Sequence, residues 1–219
     1  MSKSIVLFGA GGHAKAIIDT VEKEGRHSIA GLLDGNKPPG QSVYGYEVLG
    51  DDCWLLKHGG SIDGAIVAIG DNWTRAAVTE QLLRLYPSLP FSTAIHPSAQ
   101  IARGARIGAG SVVMAGAVLG SDAEMGGHNV IYPLVNVDHD SRTGPFVSFA
   151  PRSVSGGDVR IGAYSAIGIG ATLIHGITVG EHSVIGAGAT VVSDIPSYTV
   201  AYGTPAKPIR TRKQGERYL

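Results

Sequence analysis

Residues 161–184 divide into four six-residue blocks: Ile161-Gly-Ala-Tyr-Ser-Ala, Ile167-Gly-Ile-Gly-Ala-Thr, Leu173-Ile-His-Gly-Ile-Thr and Val179-Gly-Glu-His-Ser-Val. The same spacing runs from Ile95 to Pro196 as seventeen consecutive blocks with no residue left over. Fifteen of the seventeen leading residues are apolar, a glycine often follows the leading residue, and the fifth residue is usually Ala or Ser. A repeat of this length does not arise by chance, which argues against a glycine-rich loop region.

A period of six residues fits neither a helix nor a plain alternating strand, but it fits a hexapeptide β-helix. In such a coil each block makes one flat face and three blocks make one turn. The leading residue fills the interior, the small fifth residue fits where the wall turns, and the glycine lets the backbone bend. Stacking of successive turns then buries the core. The sequence therefore predicts an all-β parallel β-helix over residues 94–197.

The composition agrees with such a coil and excludes several functions. The chain has 219 residues, of which 32 are Gly and only 6% are aromatic, and its formal net charge is zero. A neutral chain gives no electrostatic reason to expect nucleic acid or an anionic membrane as a partner. Cys53 is the only cysteine, so neither a disulfide framework nor a thiolate metal cluster is expected. No signal peptide or membrane span is evident, and we expect a cytoplasmic protein.

Residues 1–93 show the alternation of a small Rossmann-like α/β domain with a parallel sheet. A short apolar run at 5–8 leads into a glycine loop containing Gly11, Gly12 and His13, and a helix-compatible stretch follows. A second apolar run ends at Asp34, where an acidic residue often accepts hydrogen bonds from a ribose or a base. This order favours a mononucleotide-type ligand whose phosphate meets the helix N-terminus. NAD(P) and a purely structural turn stay open as alternatives.

The rest of the N-terminal part completes the predicted sheet. A strand is expected near 43–48, a helix over 51–58, a third strand over 65–69 and a helix over 74–86. Gly70 and Asn72 follow the third strand, at the carboxyl end of the sheet where open α/β sheets bind ligands. We therefore expect both residues to contact the same ligand as the glycine loop.

Residues 198–219 are predicted to form a C-terminal cap and tail. Pro205 and Pro208 favour an extended cap over a continued repeat. The stretch from residue 210 onward is polar, and we expect it to be mobile.

The repeat fails in one neighbourhood, where Thr143 and Ser155 replace apolar leading residues. Local violations of a consistent pattern are expected at functional sites. His139 lies there between Asp138 and Asp140. An imidazole beside a carboxylate makes a good general base near neutral pH, because the carboxylate orients the ring and stabilises its charged form. An idle, solvated corner histidine is the competing interpretation.

Several histidines in a hexapeptide coil raise one further class, the zinc hydro-lyases of the γ-carbonic anhydrase type. Such enzymes need three histidines that converge between subunits. The candidate ligands here are His128, His139, His175 and His182. They show no convincing ligand pair, and no metal is expected.

A set of motifs, taken together and in order, resembles a known family. They are Gly9-Ala-Gly-Gly-His13, Leu33-Asp34, Ala68-Ile-Gly-Asp-Asn72, Ile95-His-Pro-Ser-Ala99, Val113-Met-Ala-Gly116, Val137-Asp-His-Asp140 and Gly203-Thr-Pro-Ala-Lys207. Together they resemble the sialic-acid O-acetyltransferase-like group of left-handed β-helix acyltransferases, and within it the nucleotide-sugar 4-amino N-acetyltransferases of the perosamine and bacillosamine types. The resemblance covers nearly the whole chain.

The resemblance implies a left-handed coil, a homotrimer and acetyl-CoA as co-substrate, bound along the coil between subunits. It implies an N-acetyltransferase that acts on a GDP-, UDP- or dTDP-linked 4-amino-4,6-dideoxy sugar for bacterial surface glycans such as the lipopolysaccharide O-antigen. Two rivals stay open. One is an O-acetyltransferase that acts on a sialic-acid-like sugar, and the other is a non-catalytic scaffold that binds nucleotide sugars.

The resemblance also implies residue roles. His139 would be the general base, with Asp140 raising its basicity. The acetyl-CoA contacts would be Ser148, Gly157, Ile169 and Ala187, where Gly157 would offer its backbone N–H to the developing oxyanion. The nucleotide contacts would be Gly11, Gly12, His13, Asp34 and Gly35. Ser148 stands where relatives often carry a second histidine that contacts acetyl-CoA, so the hydrogen bond at this position would come from a shorter side chain.

Overall fold

The N-terminal part is a parallel α/β sheet in a computed structural model that describes residues 2–218 of the chain. Its elements are β1 (Lys3–Phe8), α1 (Gly12–Glu24), β2 (His27–Leu33), β3 (Ser42–Val43), β4 (Tyr46–Gly50), α2 (Trp54–His58), β5 (Gly64–Val67) and α3 (Asn72–Leu85), with a 3₁₀ turn at Gly59–Ser61. The strand order is β3-β4-β2-β1-β5, and only the β3–β4 pairing is antiparallel. The predicted parallel sheet is confirmed.

Local sequence explains how these elements begin and end. The strands β1 and β5 are buried on both faces, as their continuous apolar runs predict. Helix α1 ends at Gly25, which adopts a left-handed φ of 71°. The Asp71 carboxylate caps α3 by accepting from the Thr74 N–H at 2.9 Å.

The prediction of a single strand near residues 43–48 is wrong, because the chain reverses direction between residues 43 and 46. Tyr44 and Gly45 have φ values of 51° and 88°, and they connect β3 and β4 as a two-residue hairpin. Positive φ at both central residues matches the twist of an antiparallel hairpin. The helix predicted over 51–58 is also shorter and begins at Trp54.

The coil consists of seventeen two-residue strands, each of which ends on a leading residue of the repeat. They are β6 (Ala94–Ile95), β7 (Gln100–Ile101), β8 (Arg106–Ile107), β9 (Val112–Val113), β10 (Val118–Leu119), β11 (Glu124–Met125), β12 (Val130–Ile131), β13 (Asn136–Val137), β14 (Arg142–Thr143), β15 (Ser148–Phe149), β16 (Val154–Ser155), β17 (Arg160–Ile161), β18 (Ala166–Ile167), β19 (Thr172–Leu173), β20 (Thr178–Val179), β21 (Val184–Ile185) and β22 (Thr190–Val191).

These strands form three parallel sheets, which are the three faces of the coil. Each strand pairs with the strand three positions later in the chain, so that Val118 lies opposite Asn136 and Asn136 lies opposite Val154. We name the faces by one member each: the β15 face, the β13 face and the β14 face. The leading residues pack inside, where Phe149 and Ile185 are fully buried. The predicted left-handed β-helix with three blocks per turn is confirmed.

The glycines that follow the leading residues are required for a different reason from the one predicted. They do not adopt positive φ; instead, in fifteen of the seventeen blocks a positive φ falls on the fourth residue, for example Asp140 and Tyr164. A Cβ on Gly162 would lie 2.6 Å from the Glu181 Cα, in the next turn of the coil. Close stacking of the backbone, and not bending, therefore leaves no room for a side chain at Gly162.

We expect Gly162→Ala to destabilise the protein by about 1–3 kcal/mol, because the added methyl group meets backbone atoms that cannot rotate away. Gly60→Ala is the matched control, since a Cβ there meets nothing within 4 Å and its φ is not positive. Thermal unfolding of both variants checks the difference. Equal melting temperatures would contradict the stacking explanation.

The corner of the coil next to α3 carries a stack of rings spaced by one turn. Neighbouring rings lie 4.5 to 5.5 Å apart along the series His128, Phe146, Tyr164, His182 and Tyr198. Trp73 of α3 contacts two of these rings, at 5.5 and 5.4 Å. This ladder fixes the N-terminal domain against the coil.

The chain beyond the repeat is more ordered than predicted. Strand β23 (Thr199–Gly203) extends the β15 face by pairing with β21, and β24 (Ala206–Thr211) returns antiparallel to it. Within the described residues the tail packs against the rest of the chain, where Arg212 is only 8% exposed, and its expected mobility stays a prediction. The domain limits 1–93, 94–197 and 198–219 stay predictions. No helix of the described residues is long and apolar enough to cross a membrane.

Candidate functional site

A first cavity of about 440 Å³ lies at the carboxyl ends of β1, β2 and β5, and we call it the glycine-loop cavity. Six of the seven residues predicted to bind the nucleotide sugar line it: Gly11, Gly12, His13, Asp34, Gly35 and Gly70. Helix α1 begins here with a glycine N-cap that provides no side-chain hydrogen bond. The free N–H groups of its first turn are suited to bind a phosphate.

Asp34 fixes the shape of this cavity. Its Oδ2 accepts from the Ala10 N–H and its Oδ1 from the Asn36 N–H, each at 2.9 Å. The carboxylate therefore connects the glycine loop to the end of β2, and a ligand contact would come in addition to these two bonds. Asp51 and Asp52 also line the cavity, so its outer wall is acidic.

His13 contributes a neutral ring to this cavity. Burial, aided by the charge of Arg75, lowers the pKa of His13 to about 4. Its Nδ1 lies 3.2 Å from the Tyr132 hydroxyl, and its Nε2 has no hydrogen-bond partner among the described residues. A ring that accepts from Tyr132 carries its proton on Nε2 and can donate it to a ligand oxygen.

Asn72 does not line the cavity, although the sequence analysis placed it there. It is 1% exposed, and its Nδ2 donates to the backbone oxygens of Tyr164 and Ser165, at 3.3 and 3.0 Å. Its Oδ1 accepts from Ser148 Oγ at 2.6 Å. Asn72 therefore joins the start of α3 to the coil.

A second cavity of about 410 Å³ lies outside the β15 face, and we call it the coil-side cavity. Three of the four predicted acetyl-CoA contacts line it, namely Ser148, Ile169 and Ala187. Its lining is mainly aliphatic. Gly70 belongs to both cavities, so the two meet at the loop that follows β5.

His139 lies in the turn after β13, with its side chain half exposed. Its Nδ1 lies 2.8 Å from Asp140 Oδ2, and its backbone N–H donates to Asp138 Oδ1 at 2.7 Å. The hydrogen bond to Asp140 raises the pKa of His139, and the nearby aspartates add to the effect. With Nδ1–H donated to Asp140, the neutral ring presents Nε2 as the proton acceptor.

Gly157 lies one coil turn beyond His139 and leaves room for its ring. A Cβ at this position would lie 2.4 Å from His139 Nε2. The Gly157 N–H has no backbone or side-chain acceptor within residues 2–218. His139 Nε2 therefore packs against Gly157, one turn further along the coil.

The base and the coil-side cavity occupy different corners of the coil. His139 and Gly157 follow strands of the β13 face, whereas Ile169 and Ala187 follow strands of the β15 face. One chain therefore brings only Gly157, of the four predicted acetyl-CoA contacts, next to the predicted base, and the other three lie at the coil-side cavity.

The histidines considered as zinc ligands do not converge among the described residues. His128 and His182 belong to the aromatic ladder, at a third corner, and only His175 approaches His139, with ring centroids 6.1 Å apart. Burial and the charge of Arg75 lower the pKa of His128 to about 4, which fits a structural ring.

Sequence reasoning missed Arg75, which lies at the junction of the two cavities. It is 1% exposed, and all its N–H groups donate: Nε to the His128 oxygen, Nη1 to the Ile69 and Gly70 oxygens, and Nη2 to Asn72 and Ser148. Only its place in the motif Asp71-Asn72-x-x-Arg75 marked it in the sequence. It holds the β5 loop on the coil.

The chain matches two family models that correspond to its two parts. The PglD N-terminal domain matches residues 4–82, and the bacterial transferase hexapeptide model of six repeats matches residues 158–193. The fold and the repeat thus define an acyltransferase of the hexapeptide class.

Relatives of known structure narrow this class. PerB from Caulobacter crescentus, solved with CoA and GDP-perosamine, shares 35% identity and a TM-score of 0.88, covering 94% of this chain and 97% of PerB. The acetyltransferase domain of PglB from Neisseria gonorrhoeae, solved with acetyl coenzyme A, shares 32% identity and a TM-score of 0.87, covering 95% and 100%.

A curated relative agrees with these structures. GDP-perosamine N-acetyltransferase from Escherichia coli O157:H7 is 28% identical over 181 residues, which cover 78% of each chain. The chain belongs to the family of amino-sugar N-acetyltransferases that includes PerB and the PglB acetyltransferase domain. It is an acyltransferase.

Proposed function

We propose that this protein transfers an acetyl group from acetyl-CoA to the 4-amino group of a GDP-linked 4-amino-4,6-dideoxy sugar, as in perosamine. The observation that carries the mechanism is the His139–Asp140 pair, with Nε2 packed against Gly157. Relatives solved with CoA and GDP-perosamine, or named for GDP-perosamine, support the choice of acetyl-CoA as acyl donor, of an amino sugar as acceptor and of guanine as the nucleotide base.

The reaction follows from these groups. The sugar nitrogen attacks the thioester carbonyl carbon, and His139 Nε2 removes the proton that the nitrogen loses. The Gly157 N–H stabilises the negative charge on the carbonyl oxygen. The C–S bond then breaks, and the thiolate takes the proton from the imidazolium to leave as CoA. No step uses a metal, and we expect activity to persist in a chelator.

Substrate binding divides between the two cavities. The glycine loop and the N-terminus of α1 bind the diphosphate, and His13 donates Nε2–H to the same ligand. Acetyl-CoA occupies the coil-side cavity beside Ser148, Ile169 and Ala187. The shared loop at Gly70 then places the amino sugar next to the acyl end of CoA.

A homotrimer belongs to the same proposal, because one chain separates the base from the cavity. A second copy that packs along the β13 face would bring its own His139 to the coil-side cavity of the first copy. Several apolar side chains on or beside that face are more than a third exposed and would be buried by such contact: Val118, Val154, Ile169, Ile174 and Val192. A cytoplasmic location completes the proposal.

The test is a thiol-release assay with acetyl-CoA against GDP-, UDP- and dTDP-linked 4-amino-4,6-dideoxy sugars. We expect strong preference for the GDP-linked sugar and an N-acetyl product by mass spectrometry. Turnover only with a hydroxyl acceptor would instead support O-acetylation of a sialic-acid-like sugar. Binding of nucleotide sugar without thiol release on any acceptor would support a non-catalytic scaffold.

A further inference from the structure

Residues 212–218 fold back along the junction between the N-terminal domain and the coil. Arg212 donates from Nη1 to the His182 oxygen at 3.2 Å, and its Nη2 contacts the Glu216 oxygen. Arg210 pairs with the Glu216 carboxylate at 2.7 Å, and the Lys213 N–H donates to the same carboxylate at 3.0 Å. These bonds close the segment into a compact loop.

The loop is fitted to α3. Gly215 adopts a left-handed φ of 74°, and a Cβ on it would lie 2.9 Å from Trp73 Nε1. The segment therefore has a defined path over the aromatic ladder, and this path carries the chain to Tyr218.

Tyr218 ends this path in the wall of the coil-side cavity, together with Ser148, Ile169 and Ala187. Its hydroxyl donates to the Gly70 oxygen over a long 3.4 Å. Burial raises the pKa of Tyr218 to about 12. The phenol therefore stays protonated, and a hydrogen-bond donor, throughout the neutral range.

The other hydroxyl groups that line this cavity already have hydrogen-bond partners. Ser148 donates to Asn72 at 2.6 Å, and the Tyr132 hydroxyl lies 3.2 Å from His13 Nδ1. Besides its long bond to the Gly70 oxygen, the Tyr218 hydroxyl interacts with the Ser148 side chain, which lowers the pKa of Tyr218 against the larger effect of burial. A carbonyl oxygen that enters this mainly aliphatic cavity thus finds its best donor in Tyr218.

We propose that Tyr218 is the positioning residue for the acyl donor: its ring forms one wall of the coil-side cavity, and its hydroxyl donates to a carbonyl oxygen near the acyl end of acyl-CoA. This inference rests on the proposed function. The acyl end is assigned because the cavity shares Gly70 with the glycine-loop cavity, where the amino sugar binds. The same wall limits the size of the acyl group.

The test compares Tyr218→Phe and Tyr218→Ala in the full chain. The phenylalanine variant loses one hydrogen bond, and we expect Kd and KM for acetyl-CoA to rise about 3- to 10-fold. KM for the nucleotide sugar should stay within twofold. The alanine variant should lose more affinity for acetyl-CoA and should accept propionyl- and butyryl-CoA better, relative to acetyl-CoA, than the wild type. Tyr44→Phe is the control, since Tyr44 is 55% exposed and lines neither cavity.

The outcomes are distinct. Unchanged Kd and KM for acetyl-CoA in Tyr218→Phe would overturn the proposal. Equal losses for both substrates, with a lower melting temperature, would assign Tyr218 a structural role and overturn it as well. Wild-type protein that neither binds acetyl-CoA nor acetylates an amino sugar would reject the proposed function, and this inference with it. An active wild type whose Kd and KM for acetyl-CoA are unchanged by Tyr218→Phe would reject the inference alone.

Discussion

Replacing His139 with alanine should lower turnover by at least about 10²-fold, within the range of 10²- to 10⁴-fold that a positioned general base contributes. The variant loses the nitrogen that takes the amine proton, while the coil-side cavity lies at another corner and keeps its lining. We therefore expect Kd for CoA to change less than twofold. Steady-state kinetics and calorimetry measure the two quantities. His175→Ala is the matched control, because it removes a neighbouring exposed imidazole.

Near-normal turnover in His139→Ala would remove this residue from the mechanism. Loss of CoA binding together with turnover would instead indicate a damaged coil. A melting temperature equal to that of the wild type is needed to attribute the loss of turnover to chemistry.

The pH dependence gives an independent measure of the same base. Asp140 raises the pKa of His139, and only the neutral ring accepts a proton, so kcat/KM should fall as the pH drops through that raised pKa. Asp140→Asn removes the charged hydrogen-bond acceptor and should shift the acid limb of the kcat/KM–pH profile to lower pH. The maximal kcat/KM should also fall, because the His139 ring is less well oriented. Ionisation of the substrate amine is the same in both enzymes and cannot cause the shift. An unmoved limb would show that His139 does not control it.

The second large effect concerns stability, and we expect Arg75→Met to destabilise the protein by about 3 kcal/mol or more. Within residues 2–218 no carboxylate pairs with this buried guanidinium, and five hydrogen bonds to neutral oxygens offset its desolvation. Methionine fills much of the volume but leaves the Ile69, Gly70 and His128 oxygens short of a donor. For a chain of this length the melting temperature should fall by roughly 6 °C or more.

Arg84→Met is the control on the same helix. Arg84 is exposed and pairs only with Glu80, so its loss should change stability by less than about 0.5 kcal/mol. Arg75→Lys keeps the charge but not the planar guanidinium, and its loss of stability should lie between those of Arg84→Met and Arg75→Met. A melting temperature of Arg75→Met equal to that of Arg84→Met would contradict the role of Arg75 as the link between domain and coil.

The break in the repeat adjoins His139 in the sequence, but its polar residues do not contribute to the proposed base. The two polar leading residues point into the coil: Ser155 is 1% exposed, and Thr143 Oγ1 accepts from the Gly126 N–H at 3.0 Å. Neither meets His139 Nε2. The useful signal was the pair of aspartates beside His139, since an ion pair between adjacent residues needs no tertiary structure to be recognised.

The sequence by itself determined the coil, the parallel sheet, the glycine-loop cavity and the His139–Asp140 pair. These depend on periodicity and on neighbours along the chain, which a sequence displays directly. Contacts between distant segments were decided by the tertiary structure: Asn72 bonds the backbone oxygen of Ser165, Arg75 bonds that of His128, and Tyr218 reaches Gly70. A buried polar group takes whichever partner the packing brings within reach, so these bonds carry no local signature. The placement of the base and the acetyl-CoA residues at different corners was hidden for the same reason, because it follows from how the turns stack.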